Sequence, residues 1–149
     1  MKLSSRSDYA TKAMLELSTT PDKPVNLAYL AQVEDISISY LEQIFSLLRK
    51  HGLVKSVRGP GGGYILSKPM SEITIGDIVY AIDMNRKSKK IEQAEKHSDP
   101  AHQPASQQMW EQLSNMVYSY LNNISLEDIH HARKVQLESE QTDSGTQAA

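Results

Sequence analysis

Between residues 58 and 64 the chain reads Arg58-Gly59-Pro60-Gly61-Gly62-Gly63-Tyr64, four glycines and a proline in five consecutive positions. Neither a helix nor a strand persists through such a run, because proline cannot donate and each glycine loses more backbone entropy on ordering than any other residue. The flanking segments, Leu53–Arg58 and Tyr64–Leu66, are short and rich in β-branched or aromatic residues. The run therefore reads as the tip of a two-stranded hairpin. Such a tip is thin and poor in Cβ atoms, so it can lie close to another backbone. The plainer reading is an ordinary hairpin turn. A phosphate-cradling loop of a nucleotide-binding enzyme does not fit, because the run has no Gly-Lys-Ser/Thr ending and does not open into a helix.

Everything around the hairpin has helical spacing. Ser7 can cap a first helix whose Ala10, Ala13, Met14 and Leu17 share one face, and Pro21 and Pro24 stop it. Asn26 caps a short second helix, with Leu27, Leu30 and Ala31 inward. Ser37 caps a third, with Ile38, Leu41, Ile44, Phe45 and Leu48 as its apolar stripe and Gly52 at the position just past its end. Thr74 caps a fourth, with Asp77 at its positive end and Ile75, Ile78, Val79 and Ile82 buried. A longer helix carries Trp110, Leu113, Val117, Tyr120, Leu121 and Ile124 along its apolar edge, and a short helix begins after Ser125. His130 and His131 read as surface residues near a helix end.

The expected fold is mainly α with a small β-hairpin: a winged helix-turn-helix domain over 1–83 and a long dimerisation helix with its short follower over 109–134. Residues 84–108 form a polar loop between them, with only Met84 and Ile91 as large apolar residues before the helix. Residues 135–149 read as a disordered tail. An 83-residue body has little surface to cover a helix bearing Trp, Tyr and Leu, which favours pairing with a second copy over packing at home.

Composition excludes several classes. With no Cys among 149 residues, the chain has no disulfide, thiolate nucleophile or Cys-ligated metal. No apolar run approaches the roughly 20 residues of a membrane-spanning helix, and the opening MKLSSRSDYATK lacks the apolar core of a signal peptide, so a cytoplasmic location is expected. The formal net charge of −2 gives no global attraction to nucleic acid. It conceals an asymmetry, since Gln43 to Ser71 holds Arg49, Lys50, Lys55, Arg58 and Lys68 and no acid at all. A one-signed block inside a neutral chain suggests a directional surface for a polyanion, although it also fits a solvated face.

Two short helices joined by a tight turn and followed by a glycine-tipped hairpin is the order of a winged helix-turn-helix. The core stripe of the third helix leaves Ser39, Tyr40, Gln43, Ser46 and Lys50 outward, with Glu42 near the edge. Gln can pair bidentately with adenine and Glu can accept from cytosine N4. Ser39, Tyr40 and the N–H groups of the helix start suit phosphate oxygens. A carboxylate is repelled by phosphate, so Glu42 on this face points to base selectivity rather than bulk affinity. At the wing, Arg58 can enter a narrow minor groove, with Gly59 and Pro60 beside it.

The segment SISYLEQIFSLLRKHGLVKSVRGPGGGYILSK (37–68), with the opening MKLSSRSDYATKAML, closely resembles the IscR family of bacterial iron–sulfur cluster regulators. The likeness continues through ITIGDIVYAID and resumes at MWEQLSNMVYSYLNNISLEDI, covering roughly residues 3–130. The resemblance implies a homodimeric winged-helix transcription factor, not an enzyme, binding double-stranded DNA at palindromic or pseudo-palindromic operators. It implies that the long helix Met109–Asn122 crosses its symmetry mate; the apolar edge of Trp110, Leu113, Val117, Tyr120, Leu121 and Ile124 is the expected contact. It also implies that Ser39, Tyr40, Glu42 and Gln43 contact DNA from the recognition helix, with Arg58, Gly59 and Pro60 at the wing; Lys50, outward on the same helix, is expected to join them by its charge.

One implication fails on the residues. Family members hold a 2Fe–2S cluster on three Cys and one further ligand in the loop before the long helix, and this chain has no Cys. The corresponding loop contains Ala94, Ala101 and Ala105, with six and three residues between them, where well-known members have five and five. Three readings stand open: Cys→Ala replacement of a cluster-binding relative, a natural relative without a cluster, or a site built from His97, His102 and carboxylates. No cofactor is expected in the chain as it stands, and a 2Fe–2S cluster only if the three alanines replace cysteines. Gln107 occupies the usual His position, three before Trp110, which leaves His102 or His97 as candidates for a fourth ligand.

Overall fold

The computed structural model describes residues 4–83 and 105–144. In chain order these form α1 (Ser5–Thr19), α2 (Leu27–Glu34), α3 (Ile38–Lys50), β1 (Val54–Val57), β2 (Gly63–Leu66), a 3-10 turn (Met70–Glu72), α4 (75–83), α5 (Ala105–Asn122) and α6 (Leu126–Ser144). It is the mainly helical architecture with one antiparallel hairpin that the sequence predicts. No helix among the described residues is long and apolar enough to cross a membrane.

The core forms where the stripes of α1, α3 and α4 meet. Ala10, Ala13, Met14, Leu30, Leu41, Ile44, Phe45, Leu48, Ile78 and Ile82 are fully buried. Each large member contributes about 1.5–3 kcal/mol by leaving water. Ile38 departs from expectation: it is 47% exposed, because at the first turn of α3 the stripe has not yet reached the core. Leu47, outside the predicted stripe, is buried instead.

Caps set the boundaries. α1 starts earlier than predicted, with Ser4 rather than Ser7 at its cap and the Ser4 hydroxyl accepting from the Ser7 N–H at 3.3 Å. Ser7 is buried, and both serine hydroxyls donate to Asp83 Oδ1 at the far end of the domain, at 3.3 and 3.5 Å. Between α2 and α3 the chain turns on Asp35, at φ 51°, whose N–H returns to the Ala31 carbonyl. Asn26 and Ser37 cap α2 and α3 as expected, accepting from the N–H groups of Tyr29 and Tyr40. α3 ends at Gly52, φ 71°, with Gly52 N–H donating to Arg49 O and Leu53 N–H to Leu48 O. That pattern satisfies the last carbonyls and turns the chain into β1.

The hairpin pairs Val54 with Leu66 through Val57 with Gly63. Val25, before α2, adds a bridge to Tyr64, with N–H···O distances of 3.0 and 2.9 Å in the two directions. α4 opens on a reciprocal cap: Thr74 N–H donates to Asp77 Oδ2 and Asp77 N–H to Thr74 Oγ1, both at 3.0 Å.

The C-terminal helices are tied to this body where α5 passes into α6. Thr74 bridges Ser125, Ile75 N–H donates to Ile124 O at 2.8 Å and Leu126 N–H to Ile73 O at 2.7 Å, while Leu121 and Leu126 join the core. α6 is not the short helix of the sequence reading. It continues to Ser144, through the first ten residues of the expected disordered tail. That stretch lacks an apolar stripe, and its Glu, Gln and Leu favour helix by intrinsic preference without packing. His130 is likewise not a free surface residue near a helix end. It is half-buried in the second turn of α6, with Nδ1 3.1 Å from the buried Ser18 hydroxyl.

At the start of α6, Ser125 N–H and Oγ–H both donate to Asp128 Oδ2 at 2.8 Å. These bonds hold the Asp128 carboxyl below its ordinary value of 3.8, with a smaller contribution from His131. A lowered folded-state value means the stabilisation is present above the unfolded value and is lost as pH falls through the folded one. Thermal melts from about pH 5 down to about pH 2 should therefore show a steeper loss for the wild type than for Asp128→Asn. Parallel pH profiles would contradict this cap.

Candidate nucleic-acid interface

Because Leu41, Ile44, Phe45 and Leu48 are all buried, the opposite face of α3 is turned outward. Ser39, Glu42, Gln43, Ser46, Arg49 and Lys50 are exposed along it. Tyr40 behaves differently from its neighbours. It is half-buried, standing edge-on to Tyr9 of α1 with ring centres 6.0 Å apart at 88°.

Arg6 completes this end of the surface and was not among the residues the sequence singled out. Its guanidinium carbon lies 5.5 Å from the centre of the Tyr40 ring, and Nη2 donates to Gln43 Oε1 at 2.9 Å. The two residues are 37 positions apart, so no local pattern announces the pairing. The acid-free block thus acquires a sixth cation from α1.

The wing tip is exposed over Arg58, Gly59, Pro60 and Gly61. Gly59 and Gly61 take φ values of 107° and 75°, which side-chain-bearing residues rarely adopt. Gly63 is required for a different reason: a Cβ there would strike the Val25 carbonyl, across the bridge that holds the start of β2. Phe45 packs on Tyr64 with ring centres 4.7 Å apart, so the wing is attached to α3 through the core. The two ion pairs among the described residues, Lys12–Asp8 and Arg133–Glu16, lie outside the Gln43–Ser71 block. Its five cations remain available to an external anion.

On α5 the structure separates two faces that the sequence reading merged. Leu121 is buried, Val117 and Tyr118 are half-buried, and Ile124 lies past the helix end with its carbonyl held by Ile75. Leu121 is thus a core residue rather than a contact for a second chain. Burial, with Asp83 and Tyr80 nearby, pushes the Tyr118 hydroxyl above its ordinary value and keeps it protonated. The outer face carries Met109, Leu113, Met116 and Tyr120, spaced four, three and four apart, with Trp110 beside them and every one exposed. Met109 and Met116 were missing from the expected set, although their spacing is that of a helix–helix seam.

Of the cluster-ligand positions, Ala105 is the exposed first residue of α5. Ala94 and Ala101, with His97 and His102, lie outside the described residues. Gln107 donates to Glu111 at 3.5 Å, one turn on. No three His, Asp or Glu side chains among the described residues are grouped to hold a metal.

With this geometry in hand, the likenesses to known proteins are direct. The family model for Rrf2, an iron-dependent transcriptional regulator, matches residues 3–132. The HTH-type transcriptional regulator IscR of Photorhabdus laumondii is 39% identical over 136 residues, 91% of this chain and 82% of that protein. The solved structure of T. potens IscR superposes with a TM-score of 0.71 at 31% identity, covering 89% of this chain and 88% of that one. CymR, the global cysteine regulator of B. subtilis, superposes with a TM-score of 0.67 at 32% identity, covering 89% and 98%.

Gly63→Ala should cost about 1–3 kcal/mol in a urea titration, as overpacking against fixed backbone does. The hydroxyl-retaining Ser46→Thr, on the open face of α3, should leave the midpoint in place. An unchanged midpoint for Gly63→Ala would mean that the start of β2 is not held by Val25.

Proposed function

The chain belongs to the Rrf2 family of transcriptional regulators, and from that premise we propose a homodimeric, sequence-specific DNA-binding protein that works without a metal cluster. The relatives are named transcriptional regulators, and the chain is not an enzyme. Its targets are genes of iron–sulfur cluster assembly or a related stress response, and it acts in the cytoplasm. The observation that carries the reading is the open face of α3, hydrogen-bonding at its start and cationic at its end.

Docked in a major groove, the helix start presents its N–H groups, Ser39 and Tyr40 to phosphate. Glu42 and Gln43 reach base edges, with Glu42 accepting from cytosine N4. Lys50, near the helix end, contributes charge to the phosphate backbone. Arg58 enters the adjacent minor groove, and the Cβ-free Gly59 with Pro60 lets the wing follow the sugar-phosphate wall.

The outer stripe of α5 is the dimer contact. Met109, Leu113, Met116 and Tyr120 would be left in water in a monomer, and pairing with the same stripe of a second chain buries them. A two-fold pair sets two α3 helices about one helical turn of DNA apart, or a multiple of it, which calls for a palindromic or pseudo-palindromic operator.

A Cys-ligated iron–sulfur cluster does not fit this chain, because cluster irons are held by thiolates and the sequence has none. DNA recognition as derived above uses only protein side chains and needs no cluster.

Fluorescence anisotropy on a palindromic operator should show tighter binding than to scrambled DNA at two salt concentrations. Equal affinity would remove the sequence-specific reading. Arg58→Ala should weaken operator binding by about 1–3 kcal/mol, and Lys50→Ala should lower affinity evenly across sequences and reduce the salt slope by about one. Light scattering should give twice the chain mass for the wild type, and the paired change Leu113→Glu with Met116→Glu should give the single-chain mass.

A further inference from the structure

Arg6 holds one end of the Gln43 amide before any DNA arrives, and that has a consequence for which bases Gln43 can read. A guanidinium has donors only, so the amide atom facing Arg6 Nη2 at 2.9 Å is the oxygen. The amide orientation, normally ambiguous, is thereby fixed, and Nε2 with its two N–H groups faces away from Arg6. Arg6 is itself held, because its guanidinium carbon lies over the Tyr40 ring, 5.5 Å from the ring centre, and Tyr40 stands against Tyr9. The series Tyr9, Tyr40, Arg6 and Gln43 therefore links a half-buried aromatic pair to an exposed amide on the groove-facing side of α3.

We propose that Arg6 is a specificity-determining positioning residue that makes Gln43 a donor-type reader and disfavours cytosine at the base pair it meets. An unconstrained Gln offers both an acceptor and a donor, and either face can lead. With Oε1 engaged by a cation, the amide leads with N–H. Guanine, adenine and thymine all present an acceptor in the major groove, whereas cytosine presents only the N4 donor. Next to it, Glu42 has acceptors only and favours the base that Gln43 rejects. Neighbouring side chains on one helix turn would then read opposite patterns, and the contrast depends on a residue from a different helix.

The inference rests on the DNA-binding reading, and the test separates the two. Selection from a randomised duplex library is carried out with the full chain, Gln43→Ala, Arg6→Ala and Arg6→Lys, with folding checked by circular dichroism. The position whose preference disappears in Gln43→Ala is the one Gln43 reads. There the wild type should deplete cytosine by about 3- to 10-fold, the range of one net hydrogen bond. Arg6→Ala should restore cytosine at that position alone, because the freed amide can turn its oxygen to N4. Arg6→Lys keeps the charge and gives up the guanidinium that reaches both Tyr40 and Gln43, and it should also tolerate cytosine. Uniformly weaker binding by Arg6→Ala with an unchanged base preference would overturn the proposal and make Arg6 a phosphate contact. So would a Gln43→Ala profile identical to that of the wild type. A wild type that enriches no motif would instead remove the DNA-binding reading, and this inference with it.

Discussion

The rotation of α3 about its own axis is the constraint on which the rest of the structure depends. Leu41, Ile44, Phe45 and Leu48 are fully buried on one side, and successive residues of a helix are about 100° apart, so no other rotation buries this set. Once it is fixed, Ser39, Glu42, Gln43 and Ser46 have nowhere to go but outward. The same packing then places the hairpin. Gly52 and Leu53 return the chain from α3 into β1, Phe45 packs on Tyr64 of β2, and Val25 bridges Tyr64 along the edge of β2. Core packing and surface chemistry are therefore not independent here: a change at Phe45 would disturb the wing as well as the helix.

Electrostatics act on that frame at short range. A chain whose formal charge is −2 cannot draw a polyanion to itself uniformly. Screening at physiological salt confines each charge to about 8 Å, so what counts is the local sign. From Gln43 to Ser71 that sign is positive without exception, and Arg6 extends it to the start of α3. Glu42, just outside the block, is the one carboxylate on the open face of the helix. Its placement costs affinity for phosphate wherever it sits, and only a donor-bearing base edge offsets that cost.

The body of the fold was legible because its signals are local. Asn26, Ser37 and Thr74 cap helices by reaching three residues along the chain, and the stripes of α3 and α4 repeat within a single element. The glycine run announced its own turn. What was not legible depends on contacts between distant positions. Ser7 looked like a cap until Asp83 claimed its hydroxyl, His130 looked free until Ser18 met it, and Arg6 gave no sign of Gln43. The extent of α6 was missed for the opposite reason. Its later turns carry no apolar stripe, and a search for apolar periodicity does not register such a helix.

The two stripes of α5 show how such a helix can serve two masters at once. Leu121, at the C-terminal end, is embedded in the core, and the connection that follows is clamped by Ile73 and Ile75. Toward the N-terminus the buried set thins out, and Met109 and Trp110 face outward with more than half their surface exposed. One end of the helix is thus packed into the core, while the other carries exposed apolar surface. An 18-residue helix is about 27 Å long, so a small tilt at the anchored end becomes a displacement of several ångströms at the free end. Ala105, the position where the resemblance expects a cluster ligand, is the first residue of that free end. A chain with no thiolate there cannot fix the helix through a Cys-ligated cluster, so the exposed apolar residues Met109, Leu113, Met116 and Tyr120 are what this end of the helix offers to a contact.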